Sequence, residues 1–104
     1  MRVRNDYKVK ELIYKTKAFV YCPLGNDWGH IEIEAVINPG NWIPNYDDVD
    51  QFIAKNVEGG KHITEEVGYI VYDYLKAELN PINLKVFVHS DNNSVHSCYT
   101  QIGE

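Results

Sequence analysis

The feature that most limits the fold of this chain is an alternation of apolar and polar side chains in residues 31–37. Apolar residues take every second position and two glutamates lie between them, in the order Ile31, Glu32, Ile33, Glu34, Ala35 and, after Val36, Ile37. This is the period of a β-strand with one buried and one exposed face. A second alternating run extends from about Lys10 to Tyr21, and residues 38–41 have the composition of a turn.

The middle of the chain has the periodicity of two amphipathic helices. Asn45 is a suitable N-cap for a short helix whose apolar residues are Val49, Phe52 and Ile53. Gly59-Gly60 separates this helix from a second one, for which Thr64 is the expected cap. The second helix has an i, i+3, i+4, i+7, i+8 apolar stripe of Val67, Ile70, Val71, Tyr74 and Leu75. Pro81 should end it.

Two further strands are predicted after the helices. They extend from Leu84 to His89 and from Val95 to Ile102, with a turn at Asp91-Asn92-Asn93. The order is therefore strand, strand, helix, helix, strand, strand. We expect one α+β domain spanning residues 1–104, with a four-stranded antiparallel sheet and both helices on one face.

The composition is that of a globular protein. Of 104 residues, 44% are hydrophobic and 12% aromatic, which argues against disorder. No apolar run is long enough for a membrane span, and Met1–Asp6 lacks the apolar stretch of a signal peptide. These features predict a cytoplasmic protein with no membrane contact. Cys22 and Cys98 are then expected to be thiols.

Helices on one face would leave the other face of the sheet uncovered. That face is expected to carry charged side chains and aromatics, among them Glu32, Glu34, Lys85 and His96. The first and last strands would also be edges, which proteins seldom leave long and bare. Assembly into a ring of identical subunits would cover both, so we expect a homo-oligomer.

The net charge of −5 conceals an uneven distribution. Residues 1–17 contain six basic and two acidic residues, a net charge of +4, and the remainder has a net charge of −9. A basic arm on an acidic body is suited to nucleic-acid phosphates. Ordinary solvation of a first strand explains the same residues.

The loop Cys22–Gly29 combines a potential nucleophile with a potential acid. Cys22 precedes Pro23 and lies five residues before Asp27, in a Gly- and Pro-containing loop between the two alternating runs. A thiolate attacks electrophilic carbon, and a nearby carboxyl group can protonate the atom that gains electron density.

The predicted order of elements is the unit of the tunnelling fold, and the Cys22 loop resembles that of the QueF family of nitrile reductases. The family has a Cys-Pro pair, a Gly-containing loop and an Asp-Trp-Gly sequence before an alternating strand. Cys22-Pro23, Gly25 and Asp27-Trp28-Gly29 match these elements, with a shorter loop. A family Phe-His-Glu motif at the long helix, whose Glu binds the base, corresponds loosely to Ile63-Thr64-Glu65. His62 or Thr64 would take the place of the family histidine.

Two elements of the reductases are absent from the sequence. The stretch that would bind NADPH reads Ile43–Asp48 and contains no Lys or Arg, while Asp47 and Asp48 would repel phosphate. An Arg-Gly-Gly near the last hairpin is replaced by Ser90–Asn93. The chain in this respect is similar to the small archaeal amidinotransferases of the family, which make archaeosine in tRNA and need no redox cofactor.

The resemblance implies a reaction and partners. Cys22 would add to the nitrile carbon of 7-cyano-7-deazaguanine, Asp27 would protonate the nitrile nitrogen, and ammonia would displace the sulfur. Glu65 would bind the base with help from His62. The implied partners are tRNA carrying this base, ammonia and further copies of the chain, as in the stacked pentamers of the single-domain family members. No cofactor and no metal are implied.

Other interpretations remain open at this stage. The chain could be a nitrile reductase with an unusual cofactor site, a relative of the pterin synthases, or a module that binds a deazapurine without reaction. A pterin-synthase site would need zinc, for which the candidates are His30, His89 and His96. Structural roles also suit each site residue: Cys22 as a buried thiol, Asp27 as a turn residue, Glu65 as a helix-dipole carboxylate and His62 as a loop residue.

Overall fold

The computed structural model describes residues 2–90 and 98–103. Within these ranges the elements are β1 (Arg2–Arg4), β2 (Leu12–Cys22), β3 (Asp27–Asn38), β4 (Trp42–Pro44), α1 (Tyr46–Asn56), α2 (Thr64–Leu79), β5 (Asn83–Ser90) and β6 (Cys98–Gly103). The main sheet is antiparallel in the order β2-β3-β5-β6, and β1 pairs with β4 in a small second sheet. The α+β architecture expected from the sequence is confirmed, with β2 and β6 at the edges.

One face of the main sheet packs against both helices and forms the core. The odd-numbered side chains of β3 from Ile31 to Ile37 are buried, and the two glutamates between them lie on the opposite face. Most of each predicted helix stripe is buried, with Val49 and Ile53 from α1 and Val67, Val71 and Leu75 from α2. The other predicted members, Phe52, Ile70 and Tyr74, are partly buried against the core, and Leu79 is a buried residue that the stripe did not include. Each fully buried aliphatic side chain is worth roughly 1.5–3 kcal/mol, so this core fixes the helices against the sheet.

The N-cap residue predicted for α1 is the one observed, whereas that predicted for α2 is not. Asn45 caps α1 as predicted, because its side-chain oxygen accepts from the N–H groups of Asp47 at 3.1 Å and Asp48 at 3.4 Å. The prediction that Thr64 caps α2 is wrong. Ile63 is the N-cap, without a side-chain hydrogen bond, and the Thr64 hydroxyl instead donates to Glu65.

The first hairpin is longer than its sequence pattern indicates. The region from Cys22 to Gly29, expected to be a loop, contains only a four-residue turn, residues 23–26, and pairing resumes at once between Cys22 and Asp27. Trp28 and Gly29 are therefore strand residues. The alternation of apolar residues begins only at Ile31 because the preceding part of β3 extends beyond the end of β5, which pairs with β3 from Ile31 onward.

The small sheet of β1 and β4 has no counterpart in the sequence-based expectations. Strands of three residues are too short to show an alternating pattern. The pair is held partly by cation–π contacts, since the guanidinium carbons of Arg2 and Arg4 lie 4.0 and 5.7 Å from the centre of the Trp42 ring.

The outer face of the main sheet carries the charged residues expected there. Lys15 Nζ lies 3.4 Å from Glu34 Oε1, and Lys17 Nζ lies 3.9 Å from Glu32 Oε1. The basic segment 1–17 is thus divided by the fold, because its last two lysines belong to β2 and face carboxylates of β3.

Several sequence-based expectations lie outside the described residues. These are the turn at Asp91–Asn93, the position of His96 and the start of the last strand at Val95. Neither helix in the described part of the chain combines the length and the apolar run that a bilayer span demands.

Candidate active site

Cys22 and Asp27 lie opposite each other at the end of the β2–β3 hairpin. They are cross-strand partners, the last residue of β2 and the first of β3. Directly opposite residues have Cβ atoms about 4.5–5.5 Å apart and side chains on the same face. That face is the one covered by the helices, because Cys22 continues the row of buried side chains that contains Ala18 and Val20.

The turn places a backbone donor next to the sulfur. The N–H of Gly25 donates to Cys22 Sγ over 3.4 Å. Asn26 has a φ of 53°, in the left-handed region that asparagine tolerates better than most residues, and its side-chain oxygen accepts a hydrogen bond from the Tyr21 hydroxyl. The turn therefore holds the sulfur beside a backbone donor.

Accessibility differs between the two residues of the pair. Cys22 is a free thiol and half-buried, whereas Asp27 is exposed. The Oδ1 atom of Asp27 accepts from the N–H of Trp28 over 2.8 Å, which restricts the orientation of the carboxylate. The sulfur is therefore not enclosed in the core, and a reactant can approach from the open end of the hairpin.

The segment between the helices runs along the free edge of β2 beside Cys22. The N–H of Gly59 donates to the carbonyl of Phe19 at 2.7 Å, and the N–H of Tyr21 donates to the carbonyl of Gly60 at 2.9 Å. The N–H of His62 then donates to the carbonyl of Tyr21 at 3.0 Å. This segment covers the end of an edge strand and brings His62 next to the nucleophile strand.

The imidazole of His62 has a defined partner. Its Nδ1 lies 2.8 Å from Oε1 of Glu66, one helical turn later, and its side chain is only 18% exposed. Gly60 is required for this packing, because a Cβ at that position would lie 2.5 Å from Nε2 of His62. The sequence marked Gly60 only as a break between helices, and nothing in the sequence indicated Glu66 as a partner.

Glu65 lies in the first turn of α2 and contacts the last strand. Its Oε1 accepts from the hydroxyl of Thr64 at 2.5 Å and from that of Thr100 at 3.4 Å. The two hydroxyl oxygens are 3.2 Å apart. The hydrogen bond from Thr64 is the main cause that lowers the pKa of the Glu65 carboxyl, with a smaller contribution from Thr100. Glu65 is therefore an ionised acceptor at neutral pH.

The four predicted site residues fall into two groups. Cys22, Asp27 and the backbone of His62 meet at the end of β2. Glu65 contacts β6, the strand at the opposite edge of the sheet. Thr100, which holds Glu65, was not identified from the sequence, because it is remote along the chain and belongs to no motif.

Aromatic side chains cover the outer face of the same hairpin. Trp28 is 45% exposed and its ring stacks on that of Phe19, with ring centres 5.3 Å apart. The ring of Tyr21 contacts Trp28 edge to face, with ring centres 5.5 Å apart. His30 lies 4.8 Å from Phe19. Trp28 is thus a surface aromatic that stiffens the hairpin on the face opposite Cys22.

Within residues 2–90 and 98–103, no three ligating side chains come together in an arrangement that could hold a metal ion. Of the three histidines considered for zinc, His30 and His89 line one shallow cavity on the outer face together with Lys17 and Glu32. His96 lies outside these ranges.

No protein-family model matches the chain, and no curated protein matches it. Among solved structures, a crystal structure of the archaeosine synthase QueF-Like in the apo form matches with a TM-score of 0.77. The match covers 89% of this chain and 93% of that one, at 19% sequence identity. The chain therefore has the fold of a QueF-like protein, and the resemblance seen in the sequence is confirmed at the level of the fold.

Proposed function

We propose that this protein is a cytoplasmic amidinotransferase that converts 7-cyano-7-deazaguanine in tRNA to archaeosine with ammonia. The observation that carries the proposal is the cross-strand pair of Cys22 and Asp27 at the accessible end of the hairpin. The fold shared with an archaeosine synthase supports the same assignment. An inert core thiol would be buried and without an acid beside it.

The first step is addition of the Cys22 thiolate to the nitrile carbon. A carbon–sulfur bond forms as one π bond of the C≡N group breaks, and the nitrogen takes up a proton from Asp27, giving a covalent thioimide. The N–H of Gly25, which already points at the sulfur, holds the sulfur in position for attack.

The second step is aminolysis of the thioimide. Ammonia adds to the thioimide carbon, the carbon–sulfur bond breaks, and the electron pair returns to Cys22 as thiolate. One proton from the added nitrogen replaces the proton that Asp27 gave up. The nitrile and ammonia together yield a formamidine with no change of oxidation state, so the reaction requires no hydride donor.

Base recognition is assigned to Glu65 and His62. An ionised carboxylate accepts two hydrogen bonds from adjacent N–H groups of a guanine-like edge, and the lowered pKa of Glu65 keeps it in that form. His62, fixed by Glu66, would line the same pocket. Because Glu65 lies against β6, a neighbouring copy of the chain would bring the two groups of site residues together and exclude water from the thioimide.

Conversion of tRNA tests the proposed function. We expect tRNA carrying 7-cyano-7-deazaguanine, incubated with the protein and ¹⁵N-labelled ammonium, to yield a formamidine nucleoside containing the label. Nucleoside mass spectrometry after complete digestion measures it. A reductase would instead give an aminomethyl nucleoside only when NADPH is present, and an unchanged nucleoside would leave a binding module as the better account.

A further inference from the structure

A groove of about 720 Å³ lies between the segment that follows β1 and the turn that follows β3. One wall includes Arg4, Lys8 and Lys10, and the other includes residues 39–41 and Ile82. The groove belongs to neither the Cys22 hairpin nor the first turn of α2.

The groove is positively charged although the chain is acidic. Its lining contains three cations, Arg4, Lys8 and Lys10, and one carboxylate, a net charge of +2 in a chain of net charge −5. The carboxylate is Asp6, whose Oδ1 lies 3.6 Å from Arg4 Nε, but both side chains are more than 70% exposed. Exposed ion pairs of this kind are weak in water, so the groove retains its positive potential.

The backbone of the groove wall is held in place before any ligand binds. The side chain of Asn5 accepts from the N–H of Val9 at 2.8 Å and donates to the carbonyls of Val9 and Gly40, both at 3.0 Å. The N–H of Asn5 donates to the carbonyl of Asn41 at 2.8 Å. These bonds tie the segment to the turn opposite, so binding would not have to order it.

Tyr7 projects from this fixed segment into solvent. Its side chain is 93% exposed, so almost the whole ring is open to solvent. An exposed ring on a fixed backbone, beside cationic side chains, is a combination suited to single-stranded or looped RNA, through base stacking and phosphate contact.

The groove is too far from the nucleophile to contact the reacting base. The strand β3 begins at Asp27, opposite Cys22, and ends at Asn38, next to the groove. At about 3.4 Å per residue, eleven steps separate the two ends by roughly 37 Å. A free deazapurine cannot reach both places in one chain, whereas a folded RNA can.

We propose that this groove binds phosphate groups of the tRNA substrate through Arg4, Lys8 and Lys10, while Tyr7 stacks on an unpaired base. The inference rests on the proposed function for the identity of the RNA, and it assigns the RNA surface to residues 4–10. Lys15 and Lys17 lie outside that surface, because they do not line the groove and belong to the outer face of the main sheet, beside Glu34 and Glu32.

The test compares two sets of basic residues by fluorescence anisotropy with an unmodified tRNA transcript at several salt concentrations. We expect the triple variant Arg4→Ala, Lys8→Ala, Lys10→Ala to lose at least about tenfold in affinity, and its salt slope to fall by about 2–3, since each phosphate contact contributes about 1. The double variant Lys15→Ala, Lys17→Ala is the matched control, and its affinity should stay within about twofold of the wild type.

The role of Tyr7 is tested separately. Tyr7→Ala should lose about fivefold or more in affinity for the same tRNA, whereas Tyr7→Phe, which retains the ring, should keep the affinity of the wild type.

Equal losses in the two charge variants, or a triple variant that binds like the wild type, would overturn the assignment. Heparin, a polyanion without bases, provides the second comparison. If Tyr7→Ala has no effect and heparin binding falls in parallel with tRNA binding, the groove is a general anion surface and the assignment to RNA is wrong. Covalent labelling of Cys22 by the free nitrile base tests the proposed chemistry separately. If the wild type is not labelled, the proposed function is contradicted, but the assignment of the groove as an RNA surface is not.

Discussion

At the scale of single residues, the charge state of Glu65 depends on one neighbouring hydroxyl. The Thr64 hydroxyl donates to the carboxylate at 2.5 Å and is the main cause that lowers its pKa below the ordinary value of 4.5. Because the folded pKa is lowered, the stabilisation from this hydrogen bond is present above the ordinary pKa and is lost as the pH falls through the lowered one.

Thr64→Val removes this donor while keeping the shape of the side chain. We expect the titration midpoint of Glu65, followed by NMR of its carboxyl carbon, to move up toward the ordinary value. Thr100→Val removes the longer, 3.4 Å bond and should move the midpoint less. A midpoint that does not change in Thr64→Val would show that the hydroxyl does not control this carboxylate.

At the scale of secondary-structure elements, β2 and β6 are the edge strands of the main sheet. Among the described residues, the segment between the helices hydrogen-bonds to the free edge of β2 near Phe19 and Tyr21. The outer face carries exposed apolar side chains, including Ile13 at 51% and Tyr99 at 66%. When copies of one chain associate, edge strands can pair with strands of the neighbouring copy and the exposed apolar side chains become buried.

Self-association is therefore the prediction at this scale. Light scattering should give a mass well above the 12.0 kDa of one chain, and Ile13→Lys, which places a charge on the outer face, should shift the protein toward the monomer. Ile82→Lys is the matched control, because Ile82 is 80% exposed but precedes β5 and lines the basic groove at the end of the sheet. A wild-type protein that stays at the mass of one chain at all concentrations would contradict the prediction.

The sequence was sufficient to locate the elements whose apolar residues recur at a regular spacing. It was insufficient to locate those that depend on contacts between residues far apart in the chain. The α2 stripe and the alternation in β3 each bury a regular set of side chains, so the pattern alone located them. The pairing of β1 with β4 and the contact of Thr100 with Glu65 join residues far apart in sequence. The Thr64 cap was wrong because Ile63 takes the N-cap position and Thr64 is already the first residue of α2, where its hydroxyl donates to Glu65.

The candidate site shows the same division. Cys22 and Asp27 are recognisable because they lie five residues apart in one turn, and their pairing follows from the hairpin. The partner of His62 and the need for Gly60 depend on how the segment between the helices folds back on β2. Neither could be read from spacing alone.

At the scale of the whole molecule, chemistry and RNA binding are assigned to opposite ends of an elongated domain. The principal extents are 45, 25 and 16 Å, and β3 connects the Cys22 pair at one end to the basic groove at the other. A substrate that contacts both ends must itself be large, which is consistent with a base presented by tRNA.

The central claim is a bond between the sulfur of Cys22 and the carbon of a nitrile, and intact-mass spectrometry tests it most directly. Incubation with free 7-cyano-7-deazaguanine, without ammonia, should add the mass of one base to the wild type and to Cys98→Ala, and nothing to Cys22→Ala. Asp27→Asn should form the adduct more slowly, because the nitrile nitrogen loses its proton donor. An unmodified wild type, or an adduct that persists in Cys22→Ala, would contradict the account.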